Sequence, residues 1–292
     1  MPDTVIGGLV EALPYVQRLA GRVVVLKYGG AAMAAADLSD AVMQDVVLLA
    51  QVGVRVVVCH GGGPEVSAMG KRLGLPTRFV DGLRVTDDDT MRVAQQVQIG
   101  GVSRDILAGI TRHGGRAIGL SGHDCGGFLR ATPRRHTDRE TGAPVDLGRV
   151  GDVRAVHSDV LIHLLDAGLT PVISPVAVDH DQRSLNVNAD SVATAVASAL
   201  GAARLVFLTD VDGIHGPDGA PASQVTPATL RRWIADGVVS GGMIPKAEAC
   251  LSAHDAGVEA VTVADGRVPH ALLRELLTDA GIGTQLAAAE AP

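Results

Sequence analysis

Residues 23–30 read Val-Val-Val-Leu-Lys-Tyr-Gly-Gly, and residues 54–64 read Val-Arg-Val-Val-Val-Cys-His-Gly-Gly-Gly-Pro. In each, a β-branched run passes straight into glycines. Apolar residues in succession, rather than in alternation, mark a strand covered on both faces. Similar runs recur at Ala117 to Leu120, Val172 to Ser174, Leu205 to Leu208 and Val258 to Val263, with helical text between them. Buried strands separated by helices predict an α/β fold with a mainly parallel sheet. One helix is expected to start at Ser39 as N-cap, with Val42, Val46 and Leu49 on one face. Another is expected from near Asp190 through Val192, Ala193, Val196, Ala197 and Leu200 until Gly201 ends it, apolar enough to be a core helix.

Two segments break this rhythm. Phe128 to Val153 reads as short strand-like pieces around Pro133, Gly142 and Pro144, and Val176 to Val187 as a hairpin around Asp179 to Arg183. Both predict antiparallel additions. Arg130, Arg134, Arg135 and Arg139 in the first are expected at an exposed hairpin tip rather than in an anion site. The Ala-rich tail from Ala287 onward is expected to fray.

Composition narrows the partners. The 292 residues hold 25 Lys and Arg against 32 Asp and Glu, a formal charge of −7, with one Trp, two Tyr and three Phe. Neither a basic footprint nor an aromatic stacking platform for nucleic acid is present. With 47% hydrophobic and 20% charged residues the chain has the makings of a large core. Mean hydropathy is +0.26, yet no stretch approaches 18 apolar residues free of charge, Pro or Gly, so no membrane partner is expected. Asp3, Glu11, Pro14 and Arg18 make the first twenty residues unlike a secretory signal, and a cytoplasmic location is expected. Cys59, Cys125 and Cys250 are odd in number and widely spaced, which reads as unpaired thiols. The ten histidines show no metal-ligand spacing.

The chemistry is expected at the glycines that follow the strands. A strand running into glycine and then a helix exposes several backbone N–H groups near a positive helix end, a cradle for phosphate or carboxylate oxygens. Two such loops at the carboxyl ends of parallel strands share one crevice. Neither G-x-x-x-x-G-K-[ST] nor G-x-G-x-x-G occurs, and Gly119-Leu120-Ser121-Gly122-His123 fails the G-x-S-x-G elbow at its last position. Phosphate chemistry would need another cradle. Charged or polar residues in small-residue contexts add candidates: Arg84, Asn186, Asp190, Asp210 and Lys246. Asp87-Asp88-Asp89 reads as the first turn of a helix rather than a metal site.

Taken in order, KYGG, HGGGP, GLRVTD, GLSG-x-D, NVNADSVA, LTDVDGI, SGGMIPK and DGRVPHALLRELLTDAGIGT resemble the acetylglutamate kinase branch of the amino-acid kinase family, from about residue 9 to 286. The resemblance implies a three-layer α/β/α sandwich with an acetylglutamate-binding and oligomerisation lobe over 1–175 and an ATP-binding lobe over 176–292. It implies phosphorylation of the γ-carboxylate of N-acetyl-L-glutamate by ATP in arginine biosynthesis, with Mg²⁺ carried on the nucleotide and no protein metal ligand. Lys27 and Lys246 match the catalytic lysines, and Asp190 the aspartate that holds them. Gly62, Gly63, Arg84 and Asn186 match substrate-binding positions. Gly29, Gly30, Thr209, Asp210, Gly213, Val238 and Ser240 match nucleotide-binding ones. Such catalysis needs charge neutralisation and in-line positioning more than covalent help.

The chain also departs from that pattern. Ala31 stands where the family commonly has Asn, His123 where many members have Lys, and Cys125 where they have Gly. Leu9, Val10, Leu13 and Val16 resemble the N-terminal helix that interlaces dimers into hexamers in arginine-inhibited members, so a homodimer or hexamer and an arginine effector are expectations. Glu275 and Gly281 match the arginine-binding tail, although Thr262 replaces a histidine that some members carry. Two other readings stay open: a paralogue acting on another ω-carboxylate, such as a carrier-linked aminoadipate, and a non-catalytic ATP-binding sensor or storage protein built on the same fold.

Overall fold

The structure is a computed structural model that describes residues 2–30, 33, 35–279 and 281–287. Ala31 and the tail beyond Ala287, noted above, lie outside the described residues. The first half runs α1 (Pro2–Leu19), β1 (Val23–Tyr28), α2 (Ala36–Gln51), β2 (Arg55–His60), α3 (Gly63–Arg72), β3 (Phe79–Val80), β4 (Leu83–Arg84), α4 (Asp88–Val97), a π-turn (Gln98–Val102), α5 (Ser103–Arg112) and β5 (Ala117–Leu120). It continues through β6 (Leu129–Pro133), β7 (His136–Thr137), β8 (Pro144–Val145), β9 (Val150–Val156), α6 (Ser158–Asp166) and β10 (Thr170–Ile173). The remainder is β11 (Val176–Val178), β12 (Ser184–Val187), α7 (Ala189–Ala199), β13 (Arg204–Thr209), β14 (Gln224–Val225), α8 (Pro227–Ala235), α9 (Met243–Asp255), β15 (Ala260–Asp265), α10 (Ala271–Leu277) and β16 (Gly283–Ala287).

The main sheet has the order β14-β16-β15-β13-β1-β2-β10-β5, parallel throughout except where β15 meets β16. It is continuous across residue 175: β1 lies between β2 and β13. Side chains of β1 alternate between faces, and both faces are covered. Val23 and Val25 pack with Leu161 of α6, Val192 and Val196 of α7, Leu230 of α8 and Ala247 of α9. Val24, Leu26 and Tyr28 pack with Val42 and Leu49 of α2, Ile106 and Ile110 of α5 and Leu272 of α10. Helices therefore lie on both sides of the sheet, and burial of each such Val or Leu contributes about 1.5–3 kcal/mol. The unbroken apolar text of β1 is the direct consequence of this double coverage.

The two irregular segments close on each other. β6 pairs antiparallel with β9, β11 antiparallel with β12, and the pairs join through parallel contacts β6–β11 and β9–β12 into a small closed sheet. Arg134 pairs with Asp152 at 3.1 Å and Arg130 donates to the Gly126 carbonyl at 3.1 Å, so these two arginines are engaged separately, while Arg135 and Arg139 are exposed. At the β11–β12 turn the buried Asp179 accepts N–H bonds from Asp181 and Arg183, which closes the hairpin.

The expected cap at Ser39 is a correction. α2 begins three residues earlier, at Ala36 after Ala35, with no side-chain cap. Ser39 instead hydrogen-bonds the Tyr28 side chain, tying α2 to the end of β1. The acidic run behaves as expected: Asp87 caps α4 by accepting the Thr90 N–H at 2.7 Å. All three cysteines are unpaired, with Cys59 and Cys250 buried and Cys125 exposed. No helix among the described residues is long and apolar enough to cross a membrane.

Candidate active site

β1 and β2 end level, Tyr28 opposite His60. Beyond them the two glycine loops abut: the Gly61 N–H donates to the Tyr28 carbonyl at 2.8 Å. A methyl group added at Gly29 would lie 3.2 Å from Lys27 Nζ and 3.5 Å from the Gly61 nitrogen. Lys27 thus folds back over its own loop, and a Cβ at position 29 would crowd its ammonium group. Gly30, at φ +64, takes a left-handed conformation that suits glycine.

His60 sets the second loop. It is fully buried, and burial pushes its imidazole down to about 4, so the ring is neutral. The Gly61 carbonyl, 2.6 Å from Nδ1, can only accept, so Nδ1 carries the proton; Nε2 then accepts the Ser174 hydroxyl at 3.0 Å. This fixed tautomer holds the Gly61 carbonyl inward.

Lys27 Nζ meets Asp190 Oδ1 at 3.0 Å, both partners being mostly buried. The contact is ionic, since Oδ1 lacks hydrogen-bond alignment with any donor. The two residues lie far apart in sequence and come together because α7 packs on β1. Asn188 is the N-cap of α7, accepting the N–H groups of Asp190 and Ser191 at 2.7 and 3.1 Å, which leaves the Asp190 carboxylate for the lysine. Among the described residues Lys246 forms no ion pair. It lies half-buried in the first turn of α9, and its charge helps hold the Asp210 carboxyl below its ordinary range, after the hydrogen bond from Thr209 at 3.0 Å. Four residues on, the buried Cys250 thiol is pushed up to about 12, by burial first and by the charge of Asp190 second, so α9 and α7 meet at the site.

Gly62, Gly63, Arg84 and Asn186 line one cavity of about 210 Å³ together with Gly61, Phe79 and Gln98. The Arg84 guanidinium stacks 4.7 Å from the Phe79 ring centre and donates to the Gly63 carbonyl at 2.9 Å and to Ser67 Oγ at 2.6 Å. Burial presses its pKa below the ordinary arginine value. The Asn186 amide donates to Thr86 Oγ1 at 3.3 Å.

Thr209 ends β13, beside β1, and Asp210 follows it directly. Val238 and Ser240 precede α9, and the Ser240 carbonyl accepts the Met243 N–H at 3.2 Å. Gly213, at φ +146, packs on Thr284, whose hydroxyl also accepts the Ile214 N–H at 2.7 Å. Glu275 and Gly281 adjoin: a Cβ at Gly281 would lie 3.0 Å from Glu275 Oε2, which accepts the Ile282 N–H at 3.0 Å. A separate cleft of about 910 Å³ between α1 and the end of α10 is lined by Glu11, Tyr15, Arg18 and Asp279.

Ser67, Ser174, Asn188 and Gln98 are site neighbours that sequence reasoning did not single out. Asn188, immediately before an apolar helix, carried a capping signal; Gln98, inside a helical run, carried none.

A model described as the amino acid kinase family matches residues 22–265. An acetylglutamate kinase of Symbiobacterium thermophilum is 51% identical over 281 residues, covering 95% of this chain and 96% of that protein. One from Methanothrix thermoacetophila is 46% identical over 281 residues, with 95% and 96% covered. Among solved structures, N-acetylglutamate synthase from Neisseria gonorrhoeae, complexed with coenzyme A and N-acetyl-glutamate, aligns with a TM-score of 0.86 at 27% identity. That alignment takes in 98% of this chain, which spans 64% of the longer synthase chain. The sandwich, the two glycine loops and these likenesses agree: the chain belongs to the amino acid kinase family.

Proposed function

We propose that the chain transfers the γ-phosphoryl group of ATP to the γ-carboxylate of N-acetyl-L-glutamate. A carboxylate oxygen attacks phosphorus, the bond to the bridging oxygen breaks, and N-acetyl-L-glutamyl 5-phosphate and ADP result. No proton is consumed. The carrying observation is the Lys27–Asp190 pair at 3.0 Å, poised over two abutting glycine loops beside a cavity that holds Arg84. Kinships named acetylglutamate kinase at 46–51% identity over 95% of the chain support the same activity.

Two anions must approach each other, so the residues act by neutralising charge in a partly desolvated crevice. Lys27, oriented by Asp190, meets the transferring group from the strand end, and Lys246 meets it from α9. The N–H groups of Gly29 and Gly30 serve phosphate oxygens, and those of Gly62 and Gly63 the γ-carboxylate. Arg84 and Asn186 take the α-carboxylate, for which a guanidinium fork is suited. Thr209, Asp210, Gly213, Val238 and Ser240 form the nucleotide side. The chain presents mainly cations and amide donors here; Asp190 is engaged by Lys27, and Asp210 accepts the Thr209 hydroxyl, which fits Mg²⁺ held on ATP oxygens. When bound, the metal supplies further neutralisation of the phosphates.

In this reading residues 1–175 supply most of the acetylated-substrate site and carry oligomerisation, and residues 176–292 supply most of the ATP site, with Asn186 and the Gly29–Gly30 loop reaching across the division. The exposed Leu9, Val10 and Leu13 of α1 support self-association into a dimer or hexamer. Glu275 and Gly281 would serve an arginine effector, and the cytoplasm is the proposed location. Trapping the acyl phosphate with hydroxylamine tests the activity. MgATP and N-acetyl-L-glutamate should give hydroxamate, and aminoadipate derivatives far less; no hydroxamate from N-acetyl-L-glutamate defeats the proposal.

A further inference from the structure

Gln98 opens the π-turn between α4 and α5, and π-turns inside helical runs are frequent at functional sites. The residue is only 4% exposed, yet its Oε1 is buried without a hydrogen-bond partner. Its side chain crosses the second glycine loop: a Cβ on Gly62 would lie 3.1 Å from Gln98 Cγ and 3.8 Å from Nε2. Gln98 also lines the cavity shared by Gly62, Gly63, Arg84 and Asn186. A buried carboxamide with an unmet acceptor is costly, so its retention at a cavity wall calls for a partner that the folded chain does not itself supply.

The cavity's charge pattern says what that partner is. Among the described residues that line the cavity, Arg84 is the one charged side chain and none carries a carboxylate. A free α-ammonium group would sit near a cation with no anion to pair with. A neutral acylamino group would not. Of the polar parts of an N-acylated glutamate, the carboxylates are matched by Arg84 and by the glycine-loop amides. The amide remains, and a side-chain amide is its complement, because the terminal group of Gln offers an acceptor and a donor that exchange places by a half-turn.

We propose that Gln98 is a specificity-determining residue: its carboxamide oxygen accepts the acylamino N–H of the substrate, selecting N-acylated over free acidic amino acids. This rests on the activity proposed above. The polar atoms of the side chain then contribute recognition rather than stability, which separates the role from ordinary packing.

The experiment compares N-acetyl-L-glutamate with 2-acetoxyglutarate, in which oxygen replaces the N–H, as acceptors in the hydroxamate assay. The unaltered chain should favour the amide by about 10- to 100-fold in kcat/KM, the effect of leaving one buried polar group unpaired. Gln98→Met, which keeps the length and removes both polar atoms, should bring that ratio to within about 3-fold, mainly by raising KM for the amide. KM for ATP should stay put, and the melting temperature should be unchanged or higher, since an orphaned polar atom is gone. An unaltered chain that uses both acceptors equally overturns the assignment without recourse to any variant. So does a Gln98→Met protein that keeps the original ratio. If the unaltered chain forms no hydroxamate from N-acetyl-L-glutamate, the activity itself falls and this assignment with it.

Discussion

The two lysines assigned to phosphoryl transfer stand in opposite circumstances. Lys27 closes a strand whose neighbours are buried on both faces, and its ammonium group is held against Asp190 at 3.0 Å with 16% of the side chain exposed. Lys246 stands in the first turn of α9, behind Gly241 at φ +56 and Gly242, and makes no ion pair among the described residues. One cation is preorganised by an ion pair with the core; the other, in the first turn of a helix that follows two glycines, has no such partner among the described residues. Preorganised charge costs no reorganisation during the reaction. In the proposed reading, a charge without such a partner gains its position from the nucleotide, which suits a side that must also release product.

The largest effects should fall on the preorganised side. Lys27→Ala should lower kcat by about 10³-fold and Lys246→Ala by about 10²-fold, the range for removing one aligned charge donor. Single-turnover rates with N-acetyl-L-glutamate would measure both, and a Lys246→Ala rate near that of the unaltered chain would reject its role. Asp190→Asn should resemble a weaker Lys27→Ala, and the double variant should lose far less than the product of the two. Residues acting as a unit are not additive. Additive losses would break the idea that Asp190 works through Lys27.

A smaller effect reports on the floor beneath Lys27. His60 has a folded-state pKa pushed down to about 4 against the ordinary value of 6.5. The unfolded chain therefore binds the extra proton first as pH falls. The neutral ring's contribution is full above about pH 6.5 and fades as pH drops toward 4. Between pH 7 and pH 5 the loss should be about 2 kcal/mol, read from urea unfolding. His60→Asn retains a donor near Gly61 and removes the titration, so its stability should be flatter over that range. Equal slopes for the two proteins would place the pH dependence elsewhere.

The same contrast explains what could be read from the sequence. Strands covered on both faces leave uninterrupted Val and Leu runs, so β1, β2, β13 and β15 were legible to within about two residues, and the glycines marked the crevice. The boundary at Ser39 was misread because a hydroxyl that suits a cap also suits a tertiary partner, here Tyr28. The pairing of Lys27 with Asp190 depends on α7 packing over β1, which no local pattern records. Gln98 was invisible for a related reason. A π-turn leaves the helical period almost intact in the text, while in space it swings one side chain onto the Gly62 bend.

The smallest predicted change tests whether the substrate wall shares the rigidity of the Lys27 side. Arg84 is stacked on Phe79 and already anchored through one terminal nitrogen to the Gly63 carbonyl and Ser67. Its other nitrogens remain for a carboxylate. Lysine in its place keeps a positive charge but offers neither the planar fork nor the stacking face. If Arg84 only binds, ground state and transition state lose equally, and Arg84→Lys should raise KM for N-acetyl-L-glutamate by about 10-fold while kcat changes less than about 3-fold. KM for ATP should not move. A fall in kcat without a change in KM would mean that Arg84, by bracing Gly63, is part of the machinery that aligns the attacking carboxylate; the rigid region would then extend from Lys27 across both glycine loops to the substrate wall, leaving Lys246 alone outside it.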